Sequence, residues 1–114
     1  MTLESFLQQL NESPTTIEFS DTMALIDQLY SFSPTAFKNG EILNSAGDNS
    51  GSCKLFAFAQ LQRLSQEQTL ACFGAYYWDD VLKHPEAADH QNIRNFMAHG
   101  WAGVAFDSEA LALI

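Results

Sequence analysis

"NSGSCKLFAFAQLQRL", residues 49–64, changes character midway. Asn49, Ser50 and Gly51 read as a loop, Ser52 as a helix cap, and Cys53 and Lys54 as the opening of the helix. Leu55, Phe56, Phe58, Leu61 and Leu64 then supply a dense apolar run. A thiol at a helix start beside a lysine is placed where the macrodipole and the ammonium both favour thiolate, the reactive form. The competing reading is a small sulfur facing a core, since cysteine is among the most buried residue types.

On either side the chain divides into short elements. "LESFLQQL" spaces Leu3, Phe6, Leu7 and Leu10 as a helix capped by Thr2 and ended by Pro14. "TTIEF", residues 15–19, is a run of strand formers. "SDTMALIDQLY" predicts a helix from Ser20 or Asp21, with Met23, Ile26, Leu29 and Tyr30 on one stripe. Asn39-Gly40, between Ala36-Phe37 and Ile42-Leu43, signals a hairpin over 35–43. From Asn39 to Ser52 there are three Asn, three Gly and three Ser, a long polar stretch of the kind that carries function. "SQEQTLACFGAYYWDDVLKH", residues 65–84, reads as the central helix: Ser65 and Gln68 form a capping box, and two apolar stripes cover much of its circumference. Asp89 is expected to cap "HQNIRNFMAH", which has Ile93, Phe96 and Met97 on its core face and Gly100 as its stop. "WAGVAF", residues 101–106, reads as a strand, followed by a less ordered tail over 107–114.

The 114 residues make one domain, long enough to bury about two thirds of the unfolded surface. Fourteen acidic and five basic side chains leave a net charge of −9. Lys38, Lys54, Arg63, Lys83 and Arg94 are scattered. Such a surface repels phosphate backbones and anionic lipid, so neither nucleic acid nor membrane is an expected partner, and a basic protein fits better. Cys53 and Cys72 are too few for a disulfide framework, which makes reduced thiols in a cytosol the default. "MTLESFLQQL" lacks the basic start of a secretory signal peptide, and no apolar run is long enough to span a membrane.

Each candidate site has a plainer alternative. Cys53 as a nucleophile would need a base and an orienting group, and Asp89, His90, Asn92 and His99 lie in one polar segment that could fold against it. "GDNSGSCK" resembles a phosphate cradle, but two residues separate its last Gly from Lys54 and Asp48 adds negative charge. His90 and His99 fall on opposite faces of a continuous helix, so no metal site is expected, and no cofactor. In "YYWDD", Tyr77 and Trp78 belong to core stripes, while Tyr76, Asp79 and Asp80 face solvent. Cys72 reads as an inert core thiol. Asn44, Asn49, Ser52, Lys54, Asp89, His90, Asn92 and Arg94 flank two helix starts. If those starts faced one another they would form a polar pocket with directed N–H donors. Otherwise each residue caps its own helix or loop.

"TLESFL", "IEFSDTMALID", "SPTAFKNG", "NSGSCKLFAFAQL", "TLACFGAYYWDDVL" and "HPEAADHQNIRNFMAHGWAGVAF" occur in order, and together they resemble the HopJ type III effector family from about residue 2 to Phe106. The resemblance implies an effector-like protein of a bacterium. It brings no active site with it. The amino terminus, with Thr2, Ser5, Ser13, Thr15, Thr16, Ser20 and Thr22, has the Ser/Thr content of secreted effectors, yet its capped helix makes it integral to the fold.

The expectation is therefore a single α+β domain over 1–114, with about four main helices and a small sheet built from the 35–43 hairpin, 15–19 and 101–106. Its expected location is the bacterial cytoplasm, with a type III route into a host cell open to it. Its expected action is binding a host or bacterial protein through Asn44, Asn49, Ser52, Lys54, Asn92 and Arg94. The alternatives are a cysteine-dependent hydrolase or acyltransferase, and a binder of a small polar metabolite. In the enzyme reading Cys53 attacks, His90 or His99 is the base, and Asp89 or Asn92 orients it.

Overall fold

The computed structural model describes all 114 residues. Helix α1 (Leu3–Glu12) begins in a reciprocal capping box between Thr2 and Ser5 and buries Phe6 and Leu10. Residues 15–19 form no strand. Pro14–Thr16 make a 3₁₀ turn and α2 (Phe19–Leu29) starts at once, because Pro14 presets a helical φ at the head of that turn. Tyr30 leaves the helix and opens β1 (Tyr30–Phe32). The hairpin forms as expected from β2 (Phe37–Asn39) and β3 (Ile42–Asn44), with Gly40 at φ +62° in its turn.

Helix α3 (Ser50–Leu61) occupies the centre, burying Cys53, Leu55, Phe56, Ala57, Phe58 and Ala59 around its circumference. Phe56 packs against Phe37, Phe73, Phe96 and Trp101, with ring centroids 4.9–6.3 Å apart. Phe58 meets Phe6 of α1 at 5.9 Å and Tyr30 of β1 at 6.3 Å. The central place expected for 65–84 thus belongs to α3.

The 65–84 stretch is not one helix. Its capping box at Ser65 and Gln68 is present, but α4 (Gln66–Ala71) is short and the chain resumes as a π-helical segment over Tyr76–Val81. Gly74 at φ +61° makes the break, and a Cβ there would lie 2.8 Å from the Phe19 nitrogen and 2.9 Å from the Ile17 oxygen. Close approach of the backbone outweighs the apolar periodicity. Leu82, expected on a core stripe, is exposed, as is Met97 of α5.

Helix α5 (Gln91–His99) ends at Gly100 as expected, with φ +63°. Trp101–Gly103 form a 3₁₀ turn, so only β4 (Val104–Phe106) of "WAGVAF" is strand. β4 pairs antiparallel with β2, giving a sheet of order β3-β2-β4. The tail is ordered: β5 (Leu111–Leu113) pairs antiparallel with β1, and Ala110 and Leu111 are buried. Strand β1 provides the partner for this apolar tail. The fold is α+β, with four helices of nine residues or more and two small antiparallel sheets.

Truncating Phe56 to Ala should cost about 3–5 kcal/mol, because four rings lose their common neighbour. Urea unfolding measures this. A loss below about 1 kcal/mol would mean that the four elements do not depend on that contact.

Candidate functional site

The starts of α3 and α5 open onto one cleft of about 440 Å³. Asn49, Gly51 and Ser52 line it from one helix, and His90, Gln91 and Asn92 from the other. Phe19, Ile42, Phe73 and Ile93 give it apolar walls, and Tyr76 contributes its ring. Both residues preceding the helices, Asn49 at φ +52° and His90 at φ +50°, are left-handed, and neither caps its helix with its side chain. Such conformations are costly for non-glycine residues. The first intrahelical N–H bonds run from Cys53 to the Asn49 carbonyl at 3.0 Å and from Ile93 to the His90 carbonyl at 3.0 Å. The N–H groups of Ser50, Gly51 and Ser52, and of Gln91 and Asn92, have no partner. Two sets of aligned donors therefore border the same space.

A network of asparagines holds the two starts together. Asn92 Nδ2 donates to Asn44 Oδ1 at 3.0 Å, and Asn44 Nδ2 returns a bond to Asn92 Oδ1 at 3.1 Å. Asn39 Nδ2 donates to the Asn92 carbonyl at 2.7 Å and to its Oδ1 at 3.0 Å. Asn49 Nδ2 reaches Asn44 Oδ1 at 2.8 Å, so the Asn49 amide is spent on the hairpin and not on its own helix. Asn39, Asn44 and Asn92 are buried, and Asn39 Oδ1 has no partner. The hairpin is further tied to α5 by the Glu41 N–H, which donates to Asn95 Oδ1 at 3.1 Å.

His90 is held beside the cleft by Asp80, whose Oδ2 lies 3.0 Å from His90 Nε2, and its ring centroid lies 5.2 Å from that of Tyr76. Asp89 does not cap α5. Its carboxylate accepts from Arg94 Nη2 at 2.7 Å, and this bond holds the carboxyl below the usual range. Arg94 also donates to the Asp89 and Pro85 carbonyls, so its guanidinium is committed to the loop before α5. Lys54 is likewise engaged: Nζ is 2.9 Å from Asp27 Oδ1 and 5.1 Å from the centre of the Phe32 ring.

The matching family model, described as HopJ type III effector protein, spans residues 3–111. The chain belongs to this family. It is also similar to the crystal structure of the unknown function protein VPA0580. The two share 54% identity over 100% of this chain and 95% of that one, with a TM-score of 0.98. No curated protein matches the chain. In this HopJ chain no helix is long and apolar enough to cross a membrane.

Of the residues singled out in the sequence, Asn44, Asn49, Ser52, His90 and Asn92 meet at the cleft or in the network beside it. Lys54 and Arg94 do not line it. Ser52 caps nothing, because α3 begins at Ser50, three residues before the expected start at Cys53. That shift moves Cys53 to the fourth helical position, past the unpaired donors and into the core at 2% exposure. Burial raises its pKa, and the thiol donates to the Thr35 carbonyl at 3.8 Å. His99 lies at the far end of α5, roughly 13 Å along the axis from His90, packed against Gly40 and Gly103. The structure thus gives Cys53 neither an activating charge nor a histidine partner. Phe19 and Gln91 escaped the sequence reading, and Tyr76 and Asp80 figure in it only as solvent-facing residues. The "HQN" run before an apolar stripe was the one signal for Gln91.

Burial pushes the Cys72 thiol up to about 12. An unfolded thiol ionises near 8.5, so the stability held by the protonated core thiols is complete below that pH and falls as pH rises toward 12. Urea titrations should show this alkaline decline, and Cys72→Ala should flatten it. An unchanged slope would contradict the burial argument. Both thiols should also react slowly with a neutral alkylating agent until the protein unfolds, and rapid native labelling of Cys53 would contradict its placement. Asn92→Ala removes the three bonds its side chain makes with Asn39 and Asn44 and should cost about 1–3 kcal/mol in the same assay.

Proposed function

We propose that this chain is an effector-like protein that acts by binding a partner protein, with the cleft between α3 and α5 as its recognition site. One observation carries the reading: two helix starts leave their first N–H groups unpaired on a single cleft that also has apolar walls. Such a site suits a group with an apolar body and a carbonyl or carboxylate end, such as a partner's side chain or chain terminus. Membership of a family described as type III effectors supports delivery into a host cell as the setting. The charge of −9 supports a partner that is basic outside the inserted group, since opposite fields speed encounter and fix orientation.

The residues have distinct tasks. Ser52 offers its hydroxyl at the cleft, Gln91 lines it with a side chain bonded to Ala88 and Asn95, Tyr76 and His90 flank it, and Asp80 fixes the imidazole. Asn44 and Asn92 set the separation of the two helices.

A titration of the isotope-labelled chain with acetylated dipeptides that end in a free carboxylate tests this directly. The amides of Ser50 to Ser52, Gln91 and Asn92 should shift together, and Ser52→Leu, which fills the cleft, should abolish the response. Shifts confined to other surfaces, or a response that survives Ser52→Leu, would overturn the assignment.

A further inference from the structure

The β1–β5 ribbon has an edge that pairs with no other strand. Its register sets Tyr30 opposite Leu113, Ser31 opposite Ala112 and Phe32 opposite Leu111. Ser33 N–H donates to the Ala110 carbonyl at 2.8 Å, and Ile114 N–H to the Leu29 carbonyl at 3.1 Å. Bonded pairs alternate along an antiparallel ladder. Ala112 is therefore the residue of β5 that bonds to β1, and Leu111 and Leu113 turn their N–H and C=O groups outward. Edges of this kind are normally blunted by charge, proline or a bulge. The run "ALALI", residues 110–114, has none of these. Leu113 is 78% exposed, Leu61 at the end of α3 is 54% exposed, and a groove of about 380 Å³ beside them is lined by Tyr30, Leu61, Leu111 and Leu113 and also by Gln62 and Glu109.

We propose that this edge pairs with the same edge of a second copy, antiparallel about a twofold axis at Ala112. The outward groups of Leu111 and Leu113 share one parity, so this register brings Leu111 opposite the partner's Leu113 and completes the alternating ladder without a slip. Leu111 and Leu113 lie on one face of the strand, the face of the groove. The partner's Leu113 then sits beside Leu111 and Leu61, and the exchange is symmetric. The small side chain at Ala112 sits on the axis. A second copy fits better than a basic strand because no side chain of residues 110–114 is charged and Glu109 is the one carboxylate lining the groove. Each copy carries −9, so the bodies repel outside this neutral strip, and added salt should strengthen the dimer.

Sedimentation velocity of the full chain from about 10 μM to 1 mM, at low and high sodium chloride, tests the proposal. The expected result is a dimer that grows with concentration and with salt. Leu113→Lys should stay monomeric throughout with an unchanged circular dichroism spectrum, because the side chain is exposed. Amide exchange at Leu111 and Leu113 should slow with concentration in the parent chain alone. A monomer at every concentration, a dimer that survives Leu113→Lys, or one that weakens with salt would overturn the proposal. The last result would point to a basic partner strand.

Discussion

Phe56 lies within 6.3 Å, ring centre to ring centre, of four aromatic residues, and each comes from a different part of the chain. Phe37 belongs to the hairpin, Phe73 to the break after α4, Phe96 to α5 and Trp101 to the turn that follows. A helix pinned on so many sides has little freedom to rotate or slide in a close-packed interior. Once α3 is fixed by this contact, the direction of its start is fixed too, and α5, held by Phe96 against the same ring, must present its own start nearby. The cleft follows from aromatic packing some turns away from it.

Packing alone leaves the separation of two helix ends loose, and the polar network sets it. Asn92 accepts from and donates to the hairpin, so a shift of α5 relative to Asn39 and Asn44 breaks several bonds in a low-dielectric interior. Side-chain partners also explain two otherwise costly backbone conformations. Asn49 is drawn to Asn44, and His90 lies between Asp80 and the Tyr76 ring, so neither side chain turns back to satisfy the helix it precedes. Strain held in this way leaves donors free at a defined place.

Much of this was legible in the residues, and the failures share a cause. Thr2, Ser65 with Gln68, Asn39-Gly40 and Gly100 are local signals, and each marked its boundary. The 65–84 stretch misled because Gly74 acts through a contact with Ile17 and Phe19 more than fifty residues away, which periodicity cannot register. Cys53 misled by a shift of three residues at the helix start. A side chain in the first turn differs from one in the core by just that amount, and boundaries are the least certain part of such a reading. The convergence of Asn44, Asn49, Ser52, His90 and Asn92 was visible as a possibility of two facing helix starts. The engagement of Lys54 and Arg94 elsewhere depended on Asp27 and on the loop carbonyls.

The two facing helix starts keep their first N–H groups unpaired inside an otherwise rigid frame. Residue-resolved amide hydrogen exchange tests it most directly. Ser50, Gly51, Ser52, Gln91 and Asn92 should exchange rapidly while Phe56, Phe58 and Phe96 in the same helices stay strongly protected. Strong protection of those five amides in the free protein would mean that the helices are capped from within, and the account of the cleft would fail.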